Sequence, residues 1–497
     1  MDYPLFMKEA IPLIKITIRV EFKNIIFLLI VSIVTTFVML YSESYMDSYD
    51  NKKFFFLIFM FIVSILILSL SSSFLITGLW WDALGASSIF LIMFYPNNQT
   101  AQNRYLTIYF NRIRDLALLT CLGMLISQST DLFQVQNLNI FLLFSLLICA
   151  FVKRAQFPFS SWLPAAMSAP TPVSALVHSS TLVTAGVLLR FKITQIRKIV
   201  GIIEILIWIR VAGIIMGGAI ALLETDLKKI VAFSTIRQMR VILFLGMERV
   251  LLLALVHMIF HAIFKSLIFI RVGENFVKKF NTQKSKDLTG EKYRNSEYAI
   301  IAVFMMTGLV FSTSFWTKDL CLERILERNF RLKFMLFFTG RLITALYCRG
   351  LMKLFNPTPS NFKIKKRIKK EKDKKFYTLV ILASRVRAVL ARSGEMAALV
   401  DKKELLLINL ILFSVFLIQV RDKLNISIAS LSSDIFFMKS SITQMLGKLI
   451  RGKWAYFRMD NWIFTPEIMT KQKEEKRGKN KEIKRITFML FILMILL

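Results

Sequence analysis

Between Lys153 and Arg190 the chain reads KRAQFPFSSWLPAAMSAPTPVSALVHSSTLVTAGVLLR, apolar enough to lie in a membrane yet punctuated by Pro158, Pro164, Pro170 and Pro172, with His178 just beyond. Proline removes a backbone donor and collides with the preceding turn, so a cluster of four ends or interrupts helices. Lipid cannot satisfy the backbone groups left bare. Such a break survives at membrane depth only inside protein or beside a water-filled cavity. Ion and proton transporters place their sites at discontinuous helices of this kind, which marks the stretch as the working centre.

The rest of the sequence agrees with a membrane setting. Of its 497 residues 55% are hydrophobic, with 45 Phe and 23 Met, too apolar for an ordinary soluble protein. Apolar runs of about 20 residues, each long enough to cross the hydrocarbon core, recur from end to end. They predict an all-α polytopic membrane protein with roughly 13–15 transmembrane helices. The expected spans are residues 22–40, 54–79, 80–95, 104–125, 140–152, 201–223, 227–246, 250–272 and 299–315. Beyond Leu320 the pattern weakens through 332–347, 376–390, 405–420 and 428–446 to a final apolar run at 486–497. Met1 to Lys23 reads as a charged lead-in, with neither a cleavable signal nor a transit peptide.

Four scattered cysteines, Cys121, Cys149, Cys321 and Cys348, form no CxxC pair, so iron–sulfur, structural zinc and disulfide frameworks are unsupported. No GxGxxG follows a strand pattern, which removes a nicotinamide or flavin site. Redox cofactors are therefore expected elsewhere, none in this chain. The formal net charge of +34 fits basic loops on anionic lipid head groups, as at residues 363–375 and 471–484. These runs flank spanning segments without a nucleic-acid-binding motif, so no nucleic acid is expected as a partner.

All three histidines, His178, His257 and His261, lie in apolar segments. An ionisable group inside a span is costly and counts as a functional candidate. His257, His261 and Lys265 are spaced i, i+4, i+8 and stack on one helix face. A proton relay suits them best and structural hydrogen bonding next. Metal ligation comes last, because HMIFH lacks the glutamate of a zinc-protease motif and no third ligand is near. Lys153 and Lys265 are the leading carriers, since burial favours the neutral amine and a nearby carboxylate the charged one. Snorkelling competes with that role for Lys153, at the start of the interrupted stretch. Asp226, Lys228 and Lys229 read as a solvated helix end, and Asp115 in NRIRD is ambiguous.

SSWLPAAMSAPTPVSALVHSSTLVTAG closely resembles the signature of the antiporter-like membrane subunits of respiratory complex I, and matching blocks run from about Leu79 to Leu320. The resemblance implies inverted five-helix repeats with broken helices, a C-terminal lateral helix and a terminal anchor. It divides the chain into N-terminal helices (1–78), an antiporter-like proton-translocating core (79–320) and divergent C-terminal helices (321–497). WWDALG resembles a WExxG motif whose acid pairs with the lysine of the broken helix, which gives that role to Asp82 opposite Lys153; the competing role for Asp82 is a helix cap. HAIFK resembles a motif that sets Lys265 on the central polar axis. Lys318 and Asp319 in GLVFSTSFWTKD resemble the second broken helix, Lys318 as exit-side lysine and Asp319 as its partner or a cap, although the usual proline is missing. Ser168 stands where the family often has an acid.

The implied function is proton translocation through Asp82, Lys153, His178, His257, His261, Lys265 and Lys318 in a mitochondrial inner-membrane subunit of an NADH:ubiquinone reductase. Its expected partners are other membrane-arm subunits and the lipid bilayer, with NADH, FMN, iron–sulfur clusters and ubiquinone in neighbouring chains. The alternatives are an Mrp-type cation/proton antiporter subunit and a non-pumping structural component. Arg114, Arg154, Arg237, Arg240 and Arg271 fall where the family usually has a small residue. Each central arginine costs about 2.5–3.5 kcal/mol on insertion scales. Some of them are expected to be AGA or AGG codons, which several mitochondrial codes translate as serine or glycine; CGN codons at these five positions would exclude this.

Overall fold

Apolar runs become helices wherever no proline or serine cluster intervenes. In the computed structural model these are α1 (Phe22–Tyr45), α2 (Asn51–Leu70), α3 (Phe74–Ile92), α4 (Asn98–Ser127) and α5 (Ile140–Lys153). The short helices α6 (Trp162–Ala165) and α7 (Thr171–Leu176) follow, then α8 (Leu182–Lys192), α9 (Val200–Leu223), α10 (Leu227–Met247), α11 (Leu251–Lys278), α12 (Ser296–Thr307) and α13 (Arg331–Phe355). Apart from a short antiparallel pairing of Asp2–Pro4 with Thr17–Arg19, the described elements are helical.

The structure describes residues 2–4, 17–19, 21–46, 51–71, 73–95, 97–127, 140–156, 159–192, 200–247, 251–278, 283, 296–308, 314–315, 317–319, 321–322 and 331–355. All belong to one unit, Met1–Phe437. The expected spans from residue 376 onward, the lateral helix and the terminal anchor lie outside the described residues.

Several hydroxyls inside the outer spans are satisfied by their own helix. Thr35, Ser42, Ser64 and Thr77 each donate to the carbonyl three residues back, at 2.7–2.8 Å. Since lipid is as apolar as the side chains it replaces, close packing and interhelical hydrogen bonds hold the bundle together. Leu79, Leu116, Leu119, Phe141 and Phe144 point outward.

The second and third spans divide earlier than hydropathy suggests. The expected boundary at 79/80 is corrected to Ser71–Ser73, where Ser73 adopts an extended backbone (φ −89°, ψ 144°) before α3 begins. Ser71 closes α2 by donating its hydroxyl to Leu68 O at 3.0 Å. Asp82 therefore lies inside α3, which removes the helix-cap role.

α5 ends directly after Lys153. Gln156 N donates to Phe151 O (3.0 Å) and Ala155 N to Val152 O (3.2 Å), while Ala155 takes a left-handed φ of 50°. This pattern is a Schellman stop, with alanine where glycine is usual. The Trp162 indole donates to the same Val152 carbonyl at 2.8 Å, tying the far side of the break to the helix it leaves.

The first interruption runs from there to α7. Pro170 and Pro172 occupy the cap and first turn of α7, where a missing N–H costs nothing. A π-helical turn, Val177–Thr181, then carries His178 into α8. Such wide turns recur at functional sites because they leave a carbonyl free of the regular ladder. Here Thr181 Oγ1 donates to Leu176 O at 2.9 Å.

α11 is the axis of the bundle. Within Leu252–Val277, 94% of the most apolar window is buried, against 50% or less for the outer spans Lys23–Tyr45, Lys52–Leu70 and Phe74–Ile92. α1, α7, the π-turn, α10 and α12 all pack on it. The second interruption begins at Gly308, whose φ of 76° ends α12 without a proline.

Candidate functional site

The sheathing of α11 places His257, His261 and Lys265 deep inside protein, each with no exposed surface. Their i, i+4, i+8 spacing does put them on one helix, and each reaches a different neighbour. Lys265 Nζ donates to Val231 O on α10 at 3.2 Å and contacts Ser234 Oγ. His261 Nδ1 donates to Ser179 O in the π-turn at 3.2 Å, which leaves its Nε2 as the acceptor atom. His257 sits between Gln238 Oε1 on α10 (3.0 Å from Nε2) and Thr317 Oγ1 at the second interruption (2.7 Å from Nδ1). The axial helix thus touches both interruptions.

Lys318, one residue beyond Thr317, is buried and donates to Met306 O at 2.5 Å, a carbonyl at the end of α12. Asp319 acts on it electrostatically. That acid forms a buried ion pair with Arg341 of α13, whose second nitrogen donates to Gly308 O at 2.9 Å. Asp319 and Arg341 together fasten the second interruption to α13.

On the other side of the bundle Lys153 is buried, with its amine 6.0 Å from the Trp81 ring centre. Burial at this depth removes the snorkelling alternative. The expected Asp82–Lys153 ion pair does not form: no contact within 4.0 Å joins them, and the Asp82 side chain is 57% exposed. Asp82 instead accepts from Arg114 at 3.4 Å, and the same guanidinium binds Asp115 (Nε to Oδ1 2.9 Å) and Asn111 (3.3 Å). Lys153 shares the electrostatic neighbourhood of Arg114, Asp115 and Asp82. Asp115, left ambiguous by sequence, is the more buried of the two acids.

His178 is buried beside a cavity of about 10 Å³, the room a single water requires. Ser88, Thr107, Asn111 and Trp162 line it with the imidazole. This cavity adjoins the Asn111–Arg114–Asp82 group on α3 and α4.

Three contributors escaped the sequence reading. Lys228 is no solvated helix end: it is buried, donates to Ala169 O at 3.2 Å and lies 5.5 Å from the Phe276 ring centre. Only Lys229 pairs with Asp226, at 2.7 Å. Gln238 and Thr317 carry no charge and gave no signal. Among the described residues no group of three or more His, Cys, Asp or Glu side chains is arranged to hold a metal ion.

Comparison with known proteins places these features in context. Residues 71–344 match the family described as NADH:quinone oxidoreductase/Mrp antiporter, TM. The chain is 35% identical over 347 residues to NADH-ubiquinone oxidoreductase chain 5 of Caenorhabditis elegans, covering 67% of this chain and 64% of that one. It is 35% identical over 346 residues to the chain 5 of Ascaris suum, covering 68% and 63%. These matches span less than two thirds of the relatives' own length. Among solved structures, a chain of an archaeal membrane-bound sulfane sulfur reductase, a respiratory membrane complex, shares the fold at a TM-score of 0.70 and 15% identity, over 80% of this chain and 85% of that one. A chain of the Mrp complex from Dietzia sp. does so at 0.68 and 20%, over 93% and 56%.

Proposed function

The chain belongs to the NADH:quinone oxidoreductase/Mrp antiporter transmembrane family, and we propose that it moves protons across the mitochondrial inner membrane as a membrane-arm subunit of an NADH:ubiquinone oxidoreductase. One observation carries this reading: a largely buried helix holds His261 against the first interruption, His257 against the second and Lys265 against α10, with Lys153 and Lys318 also buried.

Each group has the chemistry for a relay. A neutral imidazole takes a proton on one nitrogen and gives one from the other. A buried amine alternates between neutral and charged as its surroundings change. Here the amines of Lys265 and Lys318 meet uncharged oxygens, so a small movement of α10 or of the second interruption alters how well the charged form is held. Moving one charge across about 100 mV requires roughly 2.3 kcal/mol. In this reading NADH oxidation and ubiquinone reduction occur in partner subunits that hold FMN and iron–sulfur clusters, and their energy reaches this chain through contacts. The relatives at 35% identity favour this assignment over an Mrp-type antiporter.

Lys153→Met tests it. The buried amine has no hydrogen-bond partner among the described residues, so methionine leaves nothing unsatisfied and the complex assembles. In sealed vesicles, NADH-driven proton uptake per electron falls in the variant and is indifferent to sodium in both. An unchanged ratio with intact quinone reduction points to a structural subunit, and a sodium requirement to the antiporter.

A further inference from the structure

We propose that Gln238 and Thr317 are positioning residues that fix the tautomer of His257 and tie its protonation to the turn holding Lys318. This deepens the proton-translocation reading and rests on it. Gln238 Nε2 donates to Met306 O at 3.4 Å, so its Oε1 is the atom turned to His257 and accepts from Nε2–H. That leaves Nδ1 as the basic atom, 2.7 Å from the Thr317 hydroxyl.

The hydroxyl has one hydrogen and two acceptors, His257 Nδ1 and Ser314 O, the latter at 3.1 Å. With a neutral ring the hydrogen points to Nδ1. When Nδ1 takes up a proton it becomes a donor, and the Thr317 hydrogen turns to Ser314 O. Each proton arriving at His257 therefore rewires the turn that precedes Lys318. The loop closes at Met306 O, which accepts from both Gln238 and Lys318. Ser314, Thr317, Lys318, Met306, Gln238 and His257 form one connected network between α10, α11 and the second interruption. The charged and titratable groups facing His257 are Lys318 from the turn, Arg237 from α10 and His261 on its own helix.

The test uses the assembled complex in sealed vesicles, following proton uptake per electron against pH. Thr317→Val, which keeps the shape and removes the hydroxyl, lowers the ratio roughly tenfold, the scale of one hydrogen bond to a charged group; Thr317→Ser restores it. Gln238→Glu sets a carboxylate on Nε2–H and moves the pH profile to higher pH. Gln238→Met, which cannot accept from the ring as an amide does, lowers the ratio as the valine variant does and carries the test if Thr317→Val does not assemble. A valine variant that pumps like the serine variant, or a glutamate variant with an unmoved profile, overturns the assignment. If Lys153→Met also pumps normally, the underlying function fails as well; if it does not, only the role of Gln238 and Thr317 falls.

An independent observation concerns the arginines. Arg114, Arg154 and Arg240 are all buried, and each sets its side chain against a helical glycine of a neighbouring helix: Arg114 at Gly85, Arg154 at Gly186 and Arg240 at Gly213. In membranes, glycine on a helix face admits the close approach of another helix. At these three crossings that space is taken up by an arginine side chain. We infer that the chain in its native membrane carries a small uncharged residue, serine or glycine, at positions 114, 154 and 240, inserted at AGA or AGG codons. Lys153 then remains as a buried cation in the neighbourhood of Asp82 and Asp115, alongside the exposed Arg112 that pairs with Asp115 at 3.4 Å. Mass spectrometry of the chain isolated from its own membranes decides this. Peptide masses for serine or glycine, with no tryptic cleavage after these positions, are expected; peptides ending in arginine there overturn it.

Discussion

Lys265→Met stops proton delivery through this chain while the complex still assembles and reduces quinone. The amine donates to Val231 O and contacts Ser234 Oγ, yet Ser234 Oγ also donates to Val231 O at 2.7 Å, so these two satisfy one another once the lysine is gone. Methionine fills a similar volume in an apolar helix core, and removing a buried cation costs the fold little. Transport loses the one amine on α11 that joins the axial helix to α10. Removing a positioned proton-transfer group lowers rates by roughly a hundredfold or more. Proton uptake by vesicles, normalised to NADH oxidised, checks it. A ratio equal to that of the unaltered complex would remove Lys265 from the path.

The second large effect is structural. Gly308→Val destabilises the chain by roughly 3 kcal/mol or more, because two mechanisms add at one position. A β-branched residue is strained at φ 76°, and a Cβ there would stand 2.7 Å from Cδ of Lys318. Gly308→Ala meets the same contact with less backbone strain and falls between. The readout is the temperature at which the detergent-solubilised complex releases this chain, which drops in the order glycine, alanine, valine. Equal temperatures for all three would mean that Gly308 is not where α12 has to stop.

Much of this was legible in the sequence, and the exceptions have physical causes. Hydropathy located α5, α9 and α10 to within a residue at each end, because a membrane helix must be continuously apolar and the turns between are polar. It failed at Ser71–Ser73, since serine within an apolar run reads as a tolerated member and not as a stop. The first interruption announced itself through prolines. The second did not, because Gly308 ends α12 through its backbone angle alone. Lys153, His178, His257, His261 and Lys265 were singled out because an ionisable group in an apolar run is conspicuous, and Lys318 through the resemblance of its block. Asp82 was found as well, but its partner was not: composition cannot say that Arg114 would reach it before Lys153 does. Lys228 was misread for the opposite reason, flanked by Asp226 and Lys229 in a setting that resembles a wet helix end. Gln238 and Thr317 are neutral, so only coordinates reveal what they bind.

The bond from Lys228 Nζ to Ala169 O makes two distant pieces of chain a single mechanical part. A carbonyl freed by the proline break would be stranded in a dry interior without that amine, so α10 cannot slide along its axis unless the broken segment goes with it. α10 also binds Lys265 and His257, so in the proposed relay a displacement of α10 changes at once how the broken segment and the two carriers are held.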